Sequence, residues 1–211
     1  MGKLQTNIFG GFSGKVGSVV GSSWRGISYM RALPRSGGVS HTPSQLMQRG
    51  RFKAAVSFLK PLNAAIRIGW RGYASGKLPF HAALSHTIKN AVSGVYPNYF
   101  VDASKALVSA GWLTGAADAV AVETDGGARL HWADNSFDGA AKPSDCALVA
   151  VANFSRAVAV VVYGDAVRGD CGCAVAFPAL WRGDEMCAYL GFTSADGKEI
   201  SNSIFLNFYE R

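Results

Sequence analysis

The chain has 211 residues, of which 49% are hydrophobic, so it is long enough for one large or two small domains with a substantial core. No apolar run approaches the roughly 18 residues of a membrane-spanning helix, and the polar, glycine-broken start does not resemble a signal peptide. We therefore expect synthesis in the cytoplasm without a signal peptide, and no insertion into a membrane.

Charge divides the sequence into two halves. Residues 1–100 contain 13 Lys or Arg and no Asp or Glu, whereas residues 101–211 contain eight basic residues and all 14 acids. The halves carry formal charges of +13 and −6, which together give the net +7. Four partners suit this asymmetry: a nucleic acid, a membrane surface, an acidic protein, or another copy of the chain. We predict two domains, residues 1–100 and residues 101–211.

The glycine-rich segment at residues 1–21 predicts an arm that is mobile in a free monomer, because glycine loses much backbone entropy on ordering. Its apolar residues indicate that the arm becomes ordered against a neighbouring subunit. Residues 22–33 alternate around Gly26, which is typical of strand, turn and strand. The apolar anchors of the arm are Ile8, Phe9, Phe12, Val16, Val19 and Val20.

A helix is predicted from about Thr42, with Pro43 at its first position and Pro61 ending or kinking it near Leu59. Helical spacing resumes after the proline and reaches Trp70. The first helix should bury the apolar stripe Leu46, Met47, Phe52, Val56 and Leu59, and it should expose a basic face that includes Arg49, Lys53 and Lys60.

A second helix is predicted over residues 80–92, with Gly94 closing it and a turn following at residues 96–99. His81 and His86 are five residues apart and so do not share a helix face as a metal pair would. We interpret both histidines as structural and expect no metal site.

Strand periodicity replaces helical periodicity after Asp102. Short strands separated by turn signals predict an antiparallel β-sandwich, of the immunoglobulin or fibronectin-III-like kind, with Trp132 and Phe192 in its core. The apolar run at residues 157–162 predicts a strand covered on both faces, which would promote aggregation if it were an open edge. The predicted strands are Lys105–Ala110, Val120–Thr124, Ala128–Ala133, Cys146–Asn153, Ala157–Tyr163, Cys173–Phe177, Glu185–Thr193 and Ser201–Phe208. The fold class is therefore α+β: a basic arm, hairpin and helical region followed by a β-sandwich.

No reaction chemistry stands out in the sequence. The segment at residues 10–17 lacks the GK[ST] ending of a phosphate-binding loop, and the neighbouring acids Asp184 and Glu185 should point to opposite faces of a strand. The four cysteines lack metal-ligand spacing and are expected to be reduced and mostly buried, with a Cys146–Cys187 bridge as an open alternative. We therefore predict no enzyme activity, no cofactor and no small-molecule substrate.

Basic and aromatic residues follow each other closely at Trp24-Arg25, Tyr29 and Arg31, and Trp70-Arg71. Basic side chains bind phosphates and exposed aromatics stack on bases, although buried aromatics beside solvated charges give the same pattern. We favour core positions for the aromatics while keeping the basic face as a binding surface. The predicted assembly or polyanion-binding residues are Phe9, Phe12, Lys15, Val19, Trp24, Arg25, Arg31, Arg49, Lys53 and Lys60.

Two strings carry a family resemblance: GGFSGKVGSVVGSSWRGISYMRALP at 10–34 and TPSQLMQRGRFKAAVSFLKPL at 42–62. Together with the ending SADGKEISNSIFL at 194–206, they resemble an uncharacterised family of Bacteroidota proteins. The T-P-x-Q-x-x-x-R-x-x-F segment is also similar to proteins found among phage structural genes. Neither resemblance implies catalytic residues, and the second implies a structural role in a particle.

Two hypotheses of different classes follow. The first is a non-enzymatic structural protein that self-assembles, or docks in a larger virion-like or filamentous assembly, through its basic N-terminal half. The second is a sequence-independent nucleic-acid-binding protein that uses the same basic face. The apolar arm favours assembly because phenylalanine and valine suit an apolar groove and not a phosphate chain.

Overall fold

The computed structural model describes residues 2–3, 12–34, 42–73, 76 and 78–209, and it contains two compact units, Met1–Thr42 and Pro43–Arg211. The larger unit includes both the helices and the main β-sheet. The boundary predicted near residue 100 therefore does not coincide with the boundary between compact units. The physical reason is that the helices share a hydrophobic core with the sheet.

The smaller unit is a four-stranded sheet with the order β1-β4-β3-β2. Residues Arg25 and Gly26 connect β3 to β4 and both have positive φ, as a two-residue hairpin turn requires. This hairpin confirms the strand, turn and strand predicted for residues 22–33. The strand bounds are β1 Gly2–Lys3, β2 Gly14–Val16, β3 Val19–Trp24 and β4 Ile27–Ala32.

The prediction for the arm at residues 1–21 needs correction over residues 12–21, whereas the predicted anchors Ile8 and Phe9 lie outside the described residues. Strand β2 pairs with β3 of its own chain, in the register Lys15 to Val20. Phe12 lies directly over Gly21, where an added side chain would collide with its ring. Residues 12–21 therefore contact their own unit. Strand β2 pairs with β3, and the absence of a side chain at Gly21 leaves space for the Phe12 ring on the sheet.

Three helices follow: α1 Pro43–Leu59, α2 Asn63–Gly69 and α3 Pro79–Asn90. The break at Pro61 is confirmed, and Trp70 is buried. The predicted apolar stripe of α1 is wrong in its first half, since Met47 and Phe52 are 40% and 50% exposed. The fully buried positions of α1 are Ala55 and Leu59, because only its C-terminal half packs on the other helices and the sheet.

A second hairpin was not predicted, and it replaces the end of the predicted second helix. Strands β5 Val92–Val95 and β6 Asn98–Val101 are joined through the Tyr96–Pro97 turn, whose peptide bond is cis. Gly94 therefore lies in a strand and does not close a helix. Its φ of +97° and its close approach to Asn98 O both require the absence of a side chain.

The main sheet has seven strands in the order β10-β9-β12-β13-β7-β8-β11. All pairings are antiparallel except that of β13 with β7. Seven of the eight predicted strands are present, but Lys105–Ala110 is not among them, since a 3₁₀ turn at Ala103–Lys105 precedes an extended segment there. The bounds are β7 Ala117–Thr124, β8 Gly127–Ala133, β9 Cys146–Asn153, β10 Val158–Val167, β11 Gly172–Ala176, β12 Met186–Thr193 and β13 Ile204–Tyr209.

Strand β13 joins two half-sheets. Its first residues pair with β12, and its last residues pair with β7. The inner faces of the β10-β9-β12 half and the β7-β8-β11 half share one core that includes Trp132, Val149 and Phe192. The fold is therefore α+β with a strand-rich, nearly closed sheet, in which β10 and β11 approach each other at the open ends.

A second core lies on the outside of this sheet, beneath the helices. Successive residues of β9 belong alternately to the two cores. Val149 is part of the inner core, whereas Leu148 and Ala150 are part of the core beneath the helices. Strand β9 is consequently buried on both faces, as is β12, whose Leu190 and Tyr189 belong to the two different cores. The run at residues 157–162, predicted for that position, instead belongs to the sheet-end strand β10, where Val158 is 41% exposed.

Candidate interaction surfaces

Helix α1 carries a basic face. Arg49, Lys53 and Lys60 are all exposed, and their spacings of four and seven residues repeat one side of a helix. Lys60 follows the last residue of α1, but its N–H still donates to Val56 O at 3.0 Å, so the helical path continues. The three predicted residues of this helix are thus brought together on one surface.

An apolar side chain interrupts this basic face. Phe52 is 50% exposed and lies one helical turn from Arg49, which in turn is one turn from Lys53, whereas Met47 and Arg51 lie on the other side of α1. We call the group Arg49, Phe52, Lys53 and Lys60 the basic α1 surface. A mixture of cations and exposed apolar groups is unusual for a solvated helix and typical of an interface.

The β5–β6 hairpin packs against another side of α1, at Gly50 and Arg51. Gly50 lets Tyr99 approach the helix backbone, since an added side chain would lie 2.9 Å from the tyrosine ring. The guanidinium of Arg51 lies 5.5 Å from the centre of the same ring, a cation–π contact. The hairpin therefore fixes the orientation of Arg51 and adds a further exposed aromatic, Phe100, which is 61% exposed.

A groove of about 390 Å³ lies between α1 and strand β6. Phe58 and Phe154 stack there with ring centres 4.6 Å apart, and Glu185 lies among the lining residues. The hairpin residues Tyr99 and Phe100 also line this groove, so its walls are largely aromatic. The groove offers contact area for an apolar partner.

The N-terminal sheet places its predicted residues on two faces, because cross-strand partners share a face and successive residues alternate. Lys15 and Arg31 share one face with Trp24, which is 64% exposed. Val19 is on the opposite face together with Phe12, which covers Gly21. Trp24 was expected in a core, and its exposure corrects that expectation.

Arg25 occupies the tip of the N-terminal hairpin. Its guanidinium lies 4.9 Å from the centre of the Trp24 ring, so the cation and the aromatic form one exposed unit. Phe9 lies outside the described residues. The ten predicted residues therefore divide between the two units, and only those within one unit can be placed relative to each other.

Sequence reasoning missed a buried arginine. Arg168 is completely buried, and its guanidinium contacts the Asp145 carboxylate at 3.2 Å and the Asn135 side-chain oxygen at 2.6 Å. It also donates to the carbonyls of Thr114 and Gly115 at 2.7 and 3.0 Å. This network ties three loops to one end of the sheet. A lone arginine in an apparent turn gives no sequence signal for such a role.

A cleft of about 920 Å³ lies beside the β7–β8 turn and has mixed charge. Its Asp125 and Arg182 form an ion pair, and its Asp184 accepts hydrogen bonds from Asn153 and Arg156. The hydrogen bond from Asn153 contributes most to holding the pKa of Asp184 below its usual value. The charged groups of Asp125, Arg182 and Asp184 therefore already have partners within the chain. Glu185 lines a different groove, so the neighbouring carboxylates do not act as a pair.

No group of three or more metal-ligating side chains is present in the part of the chain that the structure describes.

All four cysteines are free thiols. A Cys146–Cys187 bridge is excluded because Cys146 faces Thr193 and Cys187 faces Ala152, at opposite ends of the β9–β12 pairing. Burial raises the pKa of the Cys187 thiol to about 12.

Among the described residues, no helix has both the length and the apolar character needed to span a membrane.

The sequence matches the family of unknown function DUF6266 over residues 11–207, which is nearly the whole chain. The chain therefore belongs to this family. No curated protein and no solved structure matches it.

Proposed function

We propose that this DUF6266 protein is a non-enzymatic structural protein that assembles with copies of itself, or with other proteins of a larger particle, through its basic N-terminal half. The observation that carries the proposal is the exposure of the N-terminal sheet. Within residues 12–34 only Gly21 is buried, while Val16 and Trp24 are each 64% exposed. A small sheet with so little buried surface is marginal in water and gains stability by covering a partner.

The charge distribution supports the same proposal. The half at residues 1–100 carries +13 and the half at residues 101–211 carries −6. One chain thus presents two surfaces of opposite sign, and contact between unlike surfaces of successive copies closes into a ring or continues as a filament. In this proposal the half-sheets pack as an immunoglobulin or fibronectin-III-like sandwich, and the protein is made in the cytoplasm and incorporated in a virion-like or filamentous particle. The Bacteroidota origin and the phage likeness belong to the same proposal.

Sedimentation velocity on the intact chain tests it. At about 50 mM salt, where surface charges act over more than 10 Å, we expect species larger than the monomer, and fewer of them at about 500 mM salt. Replacing Arg49, Lys53 and Lys60 by Gln should weaken assembly at low salt. The matched control replaces the exposed residues Arg129, Lys142 and Arg182 by Gln and should leave assembly unchanged. A chain that sediments as a monomer at every salt concentration overturns the proposal.

A sequence-independent nucleic-acid-binding protein is the second candidate. The observation that favours it is the alignment of Arg49, Lys53 and Lys60 on one helix face with exposed aromatics nearby. Each cation that contacts a phosphate contributes about 0.7–0.9 to the slope of log affinity against log salt. The triple Gln variant should therefore lower that slope by about 2–3, equally for unrelated DNA and RNA sequences. An intact chain that ignores both polymers at low salt removes this candidate.

A further inference from the structure

The two most exposed large apolar side chains of the described residues are Trp112 and Phe137, which are 98% and 81% exposed. They are carried by two neighbouring loops, residues 111–116 and 134–141. The Thr114 hydroxyl donates to Asp138 O at 2.8 Å and directly connects the two loops. These two side chains bury little apolar surface within the chain and are available to a partner.

The backbone of Phe137 is held in a strained conformation. Its φ is +77°, a region that bulky residues rarely adopt and that costs about 1–3 kcal/mol. The Phe137 N–H donates to Ala141 O at 3.0 Å, and the Asp134 carboxylate accepts from the Ser136 N–H at 2.9 Å. The loop is thus fixed by its own hydrogen bonds with the aromatic ring directed into water.

The buried arginine makes this presentation rigid. Arg168 donates to the side-chain oxygen of Asn135 in one loop and to the carbonyl of Thr114 in the other, at 2.6 and 2.7 Å. The Asn135 amide in turn donates to Gly115 O at 3.0 Å. A preorganised aromatic loses little conformational entropy on binding, which is the property of an interface anchor.

The charges around Phe137 indicate its partner. Asp134 and Asp138 flank the ring in sequence and are exposed, and neither takes part in a salt bridge within the described chain. An aromatic group between carboxylates complements apolar groups between cations. The basic α1 surface has that composition, with Phe52 among Arg49, Lys53 and Lys60.

Both surfaces belong to the unit Pro43–Arg211 and both are exposed in the same chain, so a contact between them has to join two chains. We propose that the surface formed by Trp112, Phe137, Asp134 and Asp138 binds the basic α1 surface of a second copy. This inference rests on the proposed function and specifies both sides of its contact. Because the two surfaces differ, the contact is head-to-tail and leaves one free surface at each end.

Phe137→Asn tests one side. Asparagine tolerates positive φ, so the variant removes the aromatic ring while relieving backbone strain. We expect association between copies to weaken about 30-fold or more, the effect of a hot-spot aromatic, with an unchanged or higher unfolding midpoint. Ala157→Asn is the matched control, since Ala157 is exposed and has a φ of +53° without an aromatic ring. Leu180→Asn controls for the loss of a 75% exposed apolar side chain elsewhere.

Mixing two variants tests the pairing itself. Phe137→Asn removes one side of the contact and Phe52→Ser removes the other, so this contact cannot form between copies of either variant alone. Their mixture retains one intact pair of surfaces and should form one-to-one dimers that grow no further. Dimers of this kind support the inference, whereas a mixture that stays monomeric overturns it.

The outcomes separate this inference from the proposed function. If Phe137→Asn assembles like the intact chain, the inference is wrong and assembly uses other surfaces. If the intact chain itself remains monomeric at low salt, both the inference and the proposed function are wrong. If Ala157→Asn weakens association as much as Phe137→Asn, the effect comes from the backbone and not from the ring, and the inference is again overturned.

Discussion

Arg168 and Asp145 form an ion pair that lies wholly inside the larger unit: the Arg168 Nε is 3.2 Å from an Asp145 carboxylate oxygen, and both side chains are at most 1% exposed. Burial lowers the pKa of Arg168, and the carboxylate of Asp145 opposes this effect. The guanidinium carbon also lies 4.0 Å from the centre of the Phe192 ring. The pair thus connects the inner core of the sheet with the loops at its end.

Replacing Arg168 by Met should destabilise the fold by about 3–5 kcal/mol, because it leaves the Asp145 carboxylate buried without its counter-ion. Urea unfolding measures the change. The control is Lys105→Met in the exposed Lys105–Asp102 pair, which solvent screens, and we expect little change there. If both variants unfold at the same urea concentration, the buried pair does not have the structural role given to it here.

A pH dependence is expected from His86. Burial beside Trp70, whose ring centre is 5.7 Å away, lowers the pKa of His86 from its ordinary value of 6.5. The unfolded chain then binds a proton more readily than the folded chain, so stability should fall as the pH drops through 6.5 and below. Urea unfolding at about pH 7.5 and about pH 5.5 measures this loss above the range where carboxylates titrate.

His86→Gln should reduce this loss of stability between the two pH values, whereas His81→Gln should not, since His81 is exposed. The two substitutions remove the same titratable group from the same helix. Equal pH profiles for the intact chain and His86→Gln would contradict the assignment.

Two glycines of one loop should respond differently to alanine. A side chain at Gly111 would collide with the backbone carbonyl of Ile200, whereas at Gly115 it would meet only Asn202 O at an ordinary 3.7 Å. We therefore expect Gly111→Ala to cost about 1–3 kcal/mol through overpacking, and Gly115→Ala to have little effect. Thermal unfolding of both variants checks the prediction. Similar midpoints would show that the loop can move away from Ile200 at no cost.

The sequence predicts those parts of the fold that depend on local rules. Pro61 ends a helix whatever surrounds it, and a short continuous run of apolar residues marks β9 at its observed bounds. The sequence does not show which side of an amphipathic pattern becomes covered, and so Met47 and Phe52 were wrongly placed in the core. Nor does it show the parallel pairing of β13 with β7, because that contact joins residues far apart in the chain.

Of the candidate sites, the basic face of α1 could be predicted because charge is read directly from the sequence. The Trp112 and Phe137 surface could not, for two reasons. Solvent exposure of an aromatic is decided by tertiary packing, and sequence patterns favour burial for such residues. The positive φ of Phe137 has no sequence signal either, since the residues expected there are glycine and asparagine.

The last prediction concerns the independence of the larger unit. Both hydrophobic cores consist of residues from Ala55 onward, with none from the N-terminal sheet among the described residues. Deleting residues 1–42 should therefore leave a folded chain with about the same unfolding midpoint as the intact protein, because no buried apolar contact of either core is lost. Circular dichroism during heating measures the midpoint, and sedimentation velocity then reports assembly. If the proposed function is right, the deletion lowers assembly without lowering stability. A deletion variant that unfolds at a much lower temperature would show that the N-terminal sheet stabilises the larger unit, and one that assembles like the intact chain would show that the sheet is not a connector.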